Sequence, residues 1–184
     1  MNFFAYFLLL IILIVFGLNI WLISLFFVGL FRKDKAAPYV GSFRKELLLM
    51  KENLHLEKGK KLVDLGCGDG KALRFFVKTF GIQGFGYDIN IFAITLGKAF
   101  NRWFGFRKSV FLEKKNFMNV DLSTFDYIYV YLLPAQLAFI EDWVWNNMKK
   151  DAIIIANSFQ FKNHVPFEVT KDKKGKGCIF LYKK

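Results

Sequence analysis

Residues 63–70 read Val-Asp-Leu-Gly-Cys-Gly-Asp-Gly, and this stretch restricts the fold more than any other. A short apolar run ends in an acid, Asp64, and is followed by glycine at every second position. A helical pattern begins at Lys71. Glycines spaced in this way allow φ values closed to other residues and let a ligand approach the backbone. A strand, a glycine-rich turn and a helix in that order form a cradle for a nucleotide-type cofactor, with an ordinary glycine-rich turn as the bland alternative. A phosphate-binding P-loop requires Gly-x-x-x-x-Gly-Lys-Ser/Thr, but Leu65 stands at the first glycine and Ala72 at the hydroxyl. A dinucleotide fingerprint requires Gly-x-Gly-x-x-Gly, but Lys71 takes the third glycine's place. The spacing present is Asp-x-Gly-x-Gly-x-Gly, over Asp64, Gly66, Gly68 and Gly70. A second strand-like segment, Gly84-Phe85-Gly86-Tyr87-Asp88, ends in an acid 24 residues after Asp64. That distance accommodates one turn, one helix and the next strand of a βαβ unit. It predicts Asp88 at a neighbouring strand tip, able to accept from ribose hydroxyls, with Asn90 capping the following helix.

The rest of the chain continues the alternation. Strands are expected over 61–65, 83–88, 110–113, 125–132 and 152–157. Helices are expected over 43–54, capped by Ser42, then 71–80, 91–104 and 135–148. In the 91–104 helix, Phe92, Leu96 and Phe100 form one stripe. The run 125–132 is apolar throughout, as befits a strand buried on both faces of a parallel sheet. Near the C-terminus the pattern changes to two strands, 167–170 and 178–182, joined by the polar turn 171–177, which reads as a hairpin. The segment from Asn157 to Pro166 is too short for another crossover helix. The fold class is therefore α/β, a Rossmann-like doubly wound sheet with ligands at its C-terminal strand tips and an antiparallel hairpin at the end.

Phe3 to Phe31 is a 29-residue run without a charge, interrupted by Asn19, Ser24 and Tyr6. About 20 apolar residues cross a bilayer as a helix, so the run suffices for one tilted crossing. Met1 and Asn2 offer no basic n-region, and Arg32, Lys33 and Lys35 follow the run. An uncleaved anchor is expected rather than a signal peptide, with the following domain on the cytoplasmic side. The expected division is 1–31 transmembrane anchor, 32–42 juxtamembrane linker and 43–184 catalytic domain. All the charged residues follow the anchor and leave the chain at +12. Clusters at Lys58-Lys60-Lys61, Arg107-Lys108 and Lys171–Lys176 fit anionic headgroups or solubility better than a nucleic-acid arm. The oligomeric state is not legible. Cys67 and Cys178 have no metal-ligand spacing, and no metal is expected. His55 and His164 lie apart, without an acidic or cysteine partner at ligand spacing, and read as surface or packing residues.

The pattern Asp64-x-Gly66-x-Gly68-x-Gly70 resembles motif I of the class I, seven-strand, S-adenosylmethionine methyltransferases. The resemblance covers about 38–184. Ala37-Pro38-Tyr39-Val40, Gly86-Tyr87-Asp88-Ile89-Asn90, Tyr131-Leu132-Leu133-Pro134, and the aromatics Phe159 and Phe161 make it similar to one branch. That branch is the membrane-associated protein-lysine methyltransferases of the adenine nucleotide translocase and ATP synthase c subunit, with their prokaryotic relatives. The resemblance implies S-adenosyl-L-methionine as cofactor, held by Asp64, Gly66, Cys67, Gly68, Gly70 and Asp88, with Asp64 meeting its ammonium. The acid that often meets adenine after the third strand is replaced by Asn116, which is either an amide acceptor there or an ordinary loop residue. The group's Asp-Gly-Arg is Asp69-Gly70-Lys71 here.

At the tip of strand four, Tyr131-Leu132-Leu133-Pro134 lacks the Asn/Asp-Pro-Pro-aromatic signature of adenine or amide methylation and supplies no evident general base. A protein lysine is the expected acceptor, and a lipid, quinone or other small amphiphile is the alternative. A cofactor-binding protein without turnover is a third reading. Tyr131 is the candidate catalytic residue, able to line an acceptor channel and orient an amine, and is equally readable as a core aromatic. Phe159 reads as core.

Overall fold

The computed structural model describes residues 3–30, 44–172, 175 and 178–184. The chain forms two compact units, 1–39 and 40–184. The expected juxtamembrane linker 32–42, the capping role of Ser42, the start of its helix at residue 43, and most of the turn 171–177 lie outside the described residues.

In the first unit, α1 (Phe3–Leu30) is a 28-residue helix, apolar all round. Its stretch Tyr6–Ser24 has a mean hydropathy of 2.8, long and apolar enough to cross a membrane by length and composition. Two polar side chains bond back to the helix itself. Asn19 Nδ2 donates to the Val15 carbonyl and Ser24 Oγ to the Trp21 carbonyl, each at 2.8 Å. Neither then needs a solvent partner.

The second unit runs α2 (Arg44–Asn53), β1 (Lys61–Leu65), α3 (Lys71–Phe80), β2 (Gln83–Asp88), α4 (Ile91–Trp103), β3 (Val110–Lys114), β4 (Tyr127–Val130), α5 (Pro134–Asn147), β5 (Ile153–Asn157), β6 (Glu168–Lys171) and β7 (Cys178–Lys183). Two single-turn 3₁₀ helices, Phe117–Asn119 and Leu122–Thr124, connect β3 to β4. The sheet order is β3-β2-β1-β4-β5-β7-β6. Strands β1 to β5 are parallel, β7 runs antiparallel to β5, and β6 pairs antiparallel with β7. This is the expected doubly wound sheet closed by a hairpin, and no helix lies between β5 and β6.

Right-handed crossovers that run outward in opposite directions from the β1–β4 pair put helices on opposite faces. On one face, Leu47 and Met50 of α2, Leu73 and Phe76 of α3, and Ile94 of α4 form a core with Tyr129 and Leu112. On the other, α5 buries Leu137, Ile140 and Val144, and Trp145 meets Phe161 and Tyr182 edge-to-face. Strand order reverses between β1 and β4, which opens a crevice at their C-terminal tips.

Two sequence expectations are corrected. The regular part of β4 is Tyr127–Val130, shorter than 125–132, because Phe125 follows a 3₁₀ turn and Pro134 already starts α5. The buried face of α4 is Ala93, Ile94, Gly97 and Asn101, not the Phe92-Leu96-Phe100 stripe, and Phe92 is 46% exposed. Close approach to the glycine turn selects the small residues for the inner face. A Cβ on Gly97 would lie 2.5 Å from Leu112 Cδ1 and 2.8 Å from the Asp69 carbonyl carbon.

Candidate functional site

The turn after β1 is built from three left-handed glycines: Gly66, Gly68 and Gly70 have φ of 86°, 54° and 76°. An L side chain rarely takes these values. The turn folds over the tip of β2. The Gly66 and Cys67 N–H groups both donate to the Tyr87 carbonyl, and Gly70 N–H closes back on the Cys67 carbonyl at 2.9 Å. A Cβ on Gly70 would stand 2.9 Å from Leu112 Cδ2, so this position requires glycine for room as well as for φ.

Asp88 ends β2 as expected and ties the turn to the next helix. Its Oδ2 accepts from Gly68 N–H at 2.9 Å and its Oδ1 from Asn90 N–H at 2.8 Å. Asn90 caps α4 through the Phe92 and Ala93 N–H groups, as its position in the sequence implied.

Asp64 is 3% exposed. Burial pushes its carboxyl well above the usual range, and the charges of Asp88 and Asp69 push it the same way. Among the described residues no cationic side chain pairs with it. A buried carboxyl beside two acids is a place for a cation, and an ammonium or sulfonium group fits that demand.

Cys67 is placed differently from the other turn residues. Its side chain is buried against β2, where a Cβ on Gly86 would meet its Sγ at 2.7 Å. Burial raises its thiol pKa, and the charges of Asp64, Asp88 and Asp69 add to this. The Cys67 thiol is therefore a packing group, and the residue's backbone shapes the turn.

Asn116 lies two residues past β3 and is exposed. Its Oδ1 accepts from Met118 N–H at 3.0 Å, capping a 3₁₀ turn. The same oxygen has a second lone pair that can accept a further bond.

Arg74 is the residue that reasoning from the sequence missed on the cofactor side. From the first turns of α3 it reaches back to Asp69 Oδ2 at 3.1 Å and to the Asp69 carbonyl at 2.6 Å. It also donates to Asn101 Oδ1 at 3.2 Å and lies over the Phe100 ring, and Asn101 in turn donates to the Val110 carbonyl. One guanidinium thus joins the glycine turn, α4 and β3. The i to i+5 spacing of an acid and an arginine was the only sequence signal, and it is common.

At the tips of β4 and β5 the structure brings together groups remote in sequence. Tyr131 is half-buried. Burial raises its phenol pKa and the Glu46 charge raises it further, partly opposed by a hydrogen bond with Ser158. Ser158 has φ of 67°, the only non-glycine residue with positive φ among the described ones. Holding a serine there costs about 1–2 kcal/mol. Phe159 is only partly buried. With Ser158, Val169 and Phe180 it lines an open depression of about 610 Å³ beside the hairpin. Phe161 is the core aromatic.

His164 packs as expected, but it has an acidic partner that sequence spacing did not reveal. Its ring stacks on Trp145, and Nδ1 lies 2.8 Å from Glu141 Oε1. Glu141 is 1% exposed and also accepts from the Lys162 and Asn163 N–H groups. Burial would raise its carboxyl, but these hydrogen bonds outweigh burial and hold it below the ordinary range. The cluster anchors the segment after β5.

Comparison with known proteins agrees with this geometry. Residues 64–168 match the family model described as the ANTKMT methyltransferase domain. A protein-lysine N-methyltransferase of Saccharolobus islandicus is 26% identical over 148 residues, covering 79% of this chain and 92% of that protein. The adenine nucleotide translocase lysine N-methyltransferase of Mus musculus is 27% identical over 135 residues. The chain spans 57% of that mouse protein's length. A Salinibacter ruber RNA methyltransferase, crystallised with S-adenosyl-L-homocysteine, superposes with a TM-score of 0.72 at 19% identity, over 78% of this chain and 93% of its own. At that identity the likeness concerns the fold alone.

Proposed function

This chain belongs to the ANTKMT methyltransferase domain family, and on that premise we propose that it is a membrane-anchored, S-adenosyl-L-methionine-dependent protein-lysine N-methyltransferase. The observation that carries the reading is the turn of three left-handed glycines between the buried Asp64 and the strand-tip Asp88. Such a site has backbone to lie against an amino-acid moiety, a carboxyl for its ammonium and a second for ribose hydroxyls. Asp64, Gly66, Gly68, Gly70 and Asp88 hold the cofactor, Cys67 shapes the turn from behind, and Asn116 accepts from the adenine edge. When bound, the cofactor supplies a methyl group on a sulfonium. Transfer forms an N–C bond and breaks a C–S bond whose electron pair stays on sulfur, while the acceptor nitrogen gives up a proton to solvent. In-line displacement of this kind gains chiefly from alignment. The half-buried Tyr131 orients the acceptor nitrogen, which attacks only after it has lost its proton.

The names of the archaeal and mouse relatives support lysine as the acceptor. The apolar α1 and the sequence Arg32-Lys33-Asp34-Lys35 after it support an anchor at 1–31, a linker at 32–42 and a cytoplasmic catalytic domain at 43–184. Titration of the full-length protein in detergent with S-adenosyl-L-methionine is expected to show 1:1 binding that Asp88→Ala weakens at least tenfold. No binding would overturn the reading. Membranes incubated with methyl-labelled cofactor are expected to carry the label in protein. Label confined to the lipid fraction would move the acceptor to a lipid, quinone or other small amphiphile.

A further inference from the structure

The strand-four tip supplies no general base in the sequence, yet the folded chain brings a carboxylate to it. Glu46, in the first turn of α2, receives Asn157 Nδ2 at 3.1 Å across 111 positions of sequence. Asn157 ends β5 and is 1% exposed. Its second amide hydrogen goes to Tyr129 Oη at 3.1 Å, and its Oδ1 accepts from Ser158 Oγ at 3.2 Å. A carboxylate only accepts, so the amide nitrogen must face Glu46 and the amide orientation is determined. Ser158 is held left-handed while its N–H donates to the Cys178 carbonyl, and its hydroxyl meets Tyr131. Tyr131, Ser158, Asn157 and Glu46 thus form one connected polar row along the C-terminal tips of β4 and β5. The row lies at the acceptor side of the crevice whose other side is the glycine turn.

A primary alkylammonium has three N–H donors and one charge. Glu46 offers the opposite charge, and the Tyr131 and Ser158 hydroxyls offer two further acceptors. We propose that Glu46, Tyr131 and Ser158 form an alkylammonium site that receives the side chain of the acceptor lysine, with Asn157 as the residue that positions Glu46. Glu46 and Ser158 bond to the two polar atoms of one Asn157 amide, which holds the carboxylate and the hydroxyl near each other. The identity of the ligand as a lysine side chain rests on the protein-lysine reading above, whereas the affinity for an ammonium does not.

The test uses full-length protein in detergent, with n-butylammonium as probe and n-butanol as its uncharged counterpart. The Asn157 side-chain amide is followed by NMR at neutral pH. A saturable shift with n-butylammonium and none with n-butanol is expected. Glu46→Gln, which keeps an acceptor for Asn157, is expected to weaken that binding about tenfold. Tyr131→Phe is expected to weaken it about threefold and serves if Glu46→Gln lowers the melting temperature. In parallel, Glu46→Gln is expected to reduce labelling of membrane protein at least tenfold while the affinity for S-adenosyl-L-methionine stays within about twofold. No saturable shift in the wild type, or an equal shift in a well-folded Glu46→Gln, overturns the site. Undiminished protein labelling by Glu46→Gln overturns it and leaves the lysine reading standing. Probe binding that depends on Glu46, with no label in any protein, keeps the ammonium site and removes the lysine reading.

Discussion

Gly97 offers the sharpest test of how the cofactor turn is held. It lies inside α4, where alanine is ordinarily preferred by about 1 kcal/mol. Propensity alone therefore predicts that Gly97→Ala stabilises. The structure predicts the opposite. The new methyl would meet the Asp69 carbonyl oxygen, lie 2.8 Å from the carbonyl carbon and come within 2.5 Å of Leu112 Cδ1. Normal contact between such atoms is about 3.5–4.0 Å, so α4 and the turn must separate by roughly 1 Å. The leucine can rotate, but the Asp69 backbone belongs to the turn clamped by Arg74 and Asp88. Overpacking of this kind costs about 1–3 kcal/mol. Set against the propensity gain, the net loss is up to about 2 kcal/mol, a fall in melting temperature of up to roughly 8 °C. The same 1 Å shift moves the Gly68–Gly70 backbone, and affinity for S-adenosyl-L-methionine is expected to fall about tenfold or more. Gly84→Ala is the control, because the atoms nearest its Cβ would be side-chain atoms of Leu73 and Val77, at 3.1 Å, and not backbone. Differential scanning calorimetry and isothermal titration on both variants decide the matter. A Gly97→Ala protein as stable as wild type and with unchanged affinity would refute the close-approach argument.

Three further outcomes follow from the same geometry. The Asp64 carboxyl is raised by burial and by its anionic neighbours, and a cationic ligand favours the carboxylate, so cofactor binding should release a proton. Calorimetry in buffers of different ionisation heat would measure this release, and Asp64→Asn should abolish it. In the free protein the raised group contributes relative stability that is fully present below the ordinary value of 3.8 and is lost as pH rises through the folded value. The stability difference between wild type and Asp64→Asn should therefore drift against the wild type as pH increases. Arg74→Ala removes the guanidinium shared by Asp69 and Asn101, and should weaken cofactor binding about tenfold in a titration; Arg74→Lys, without the planar fork, should restore little. Glu141→Ala strands the Lys162 and Asn163 N–H groups and should cost about 2–4 kcal/mol in denaturant unfolding. The lowered Glu141 carboxyl contributes stability that is present above its unfolded value and lost as pH falls through its folded value, so this penalty should shrink in acid.

Some features could be read from the chain because their causes are local. Alternate glycines after an apolar run specify a turn, and the strands and helices that flank Asp64, Gly70 and Asp88 appear over the ranges expected from the sequence. Asn90 was legible as a cap because the capping bond spans two or three residues. The burial of α4 was not legible in this way. Hydrophobic periodicity favours Phe92 and Phe100, but the helix turns Gly97 inward because the backbone of Asp69 stands where a side chain would go. The His164 ring likewise finds its acid on a helix 23 positions away.

The amino-acid sequence by itself determined the donor side: a doubly wound sheet, a glycine turn with two acids, and an apolar helix ahead of it. Each depends on neighbours in the chain, on φ preferences and on the alternation of apolar residues. Only the tertiary structure decided the acceptor side. Glu46 reaches Asn157 because α2 packs on the sheet face that carries Tyr129, and the strand order sets the tips of β4 and β5 side by side. Hydrogen bonds between residues more than a hundred positions apart leave no periodic trace, and their geometry exists only once the sheet has formed.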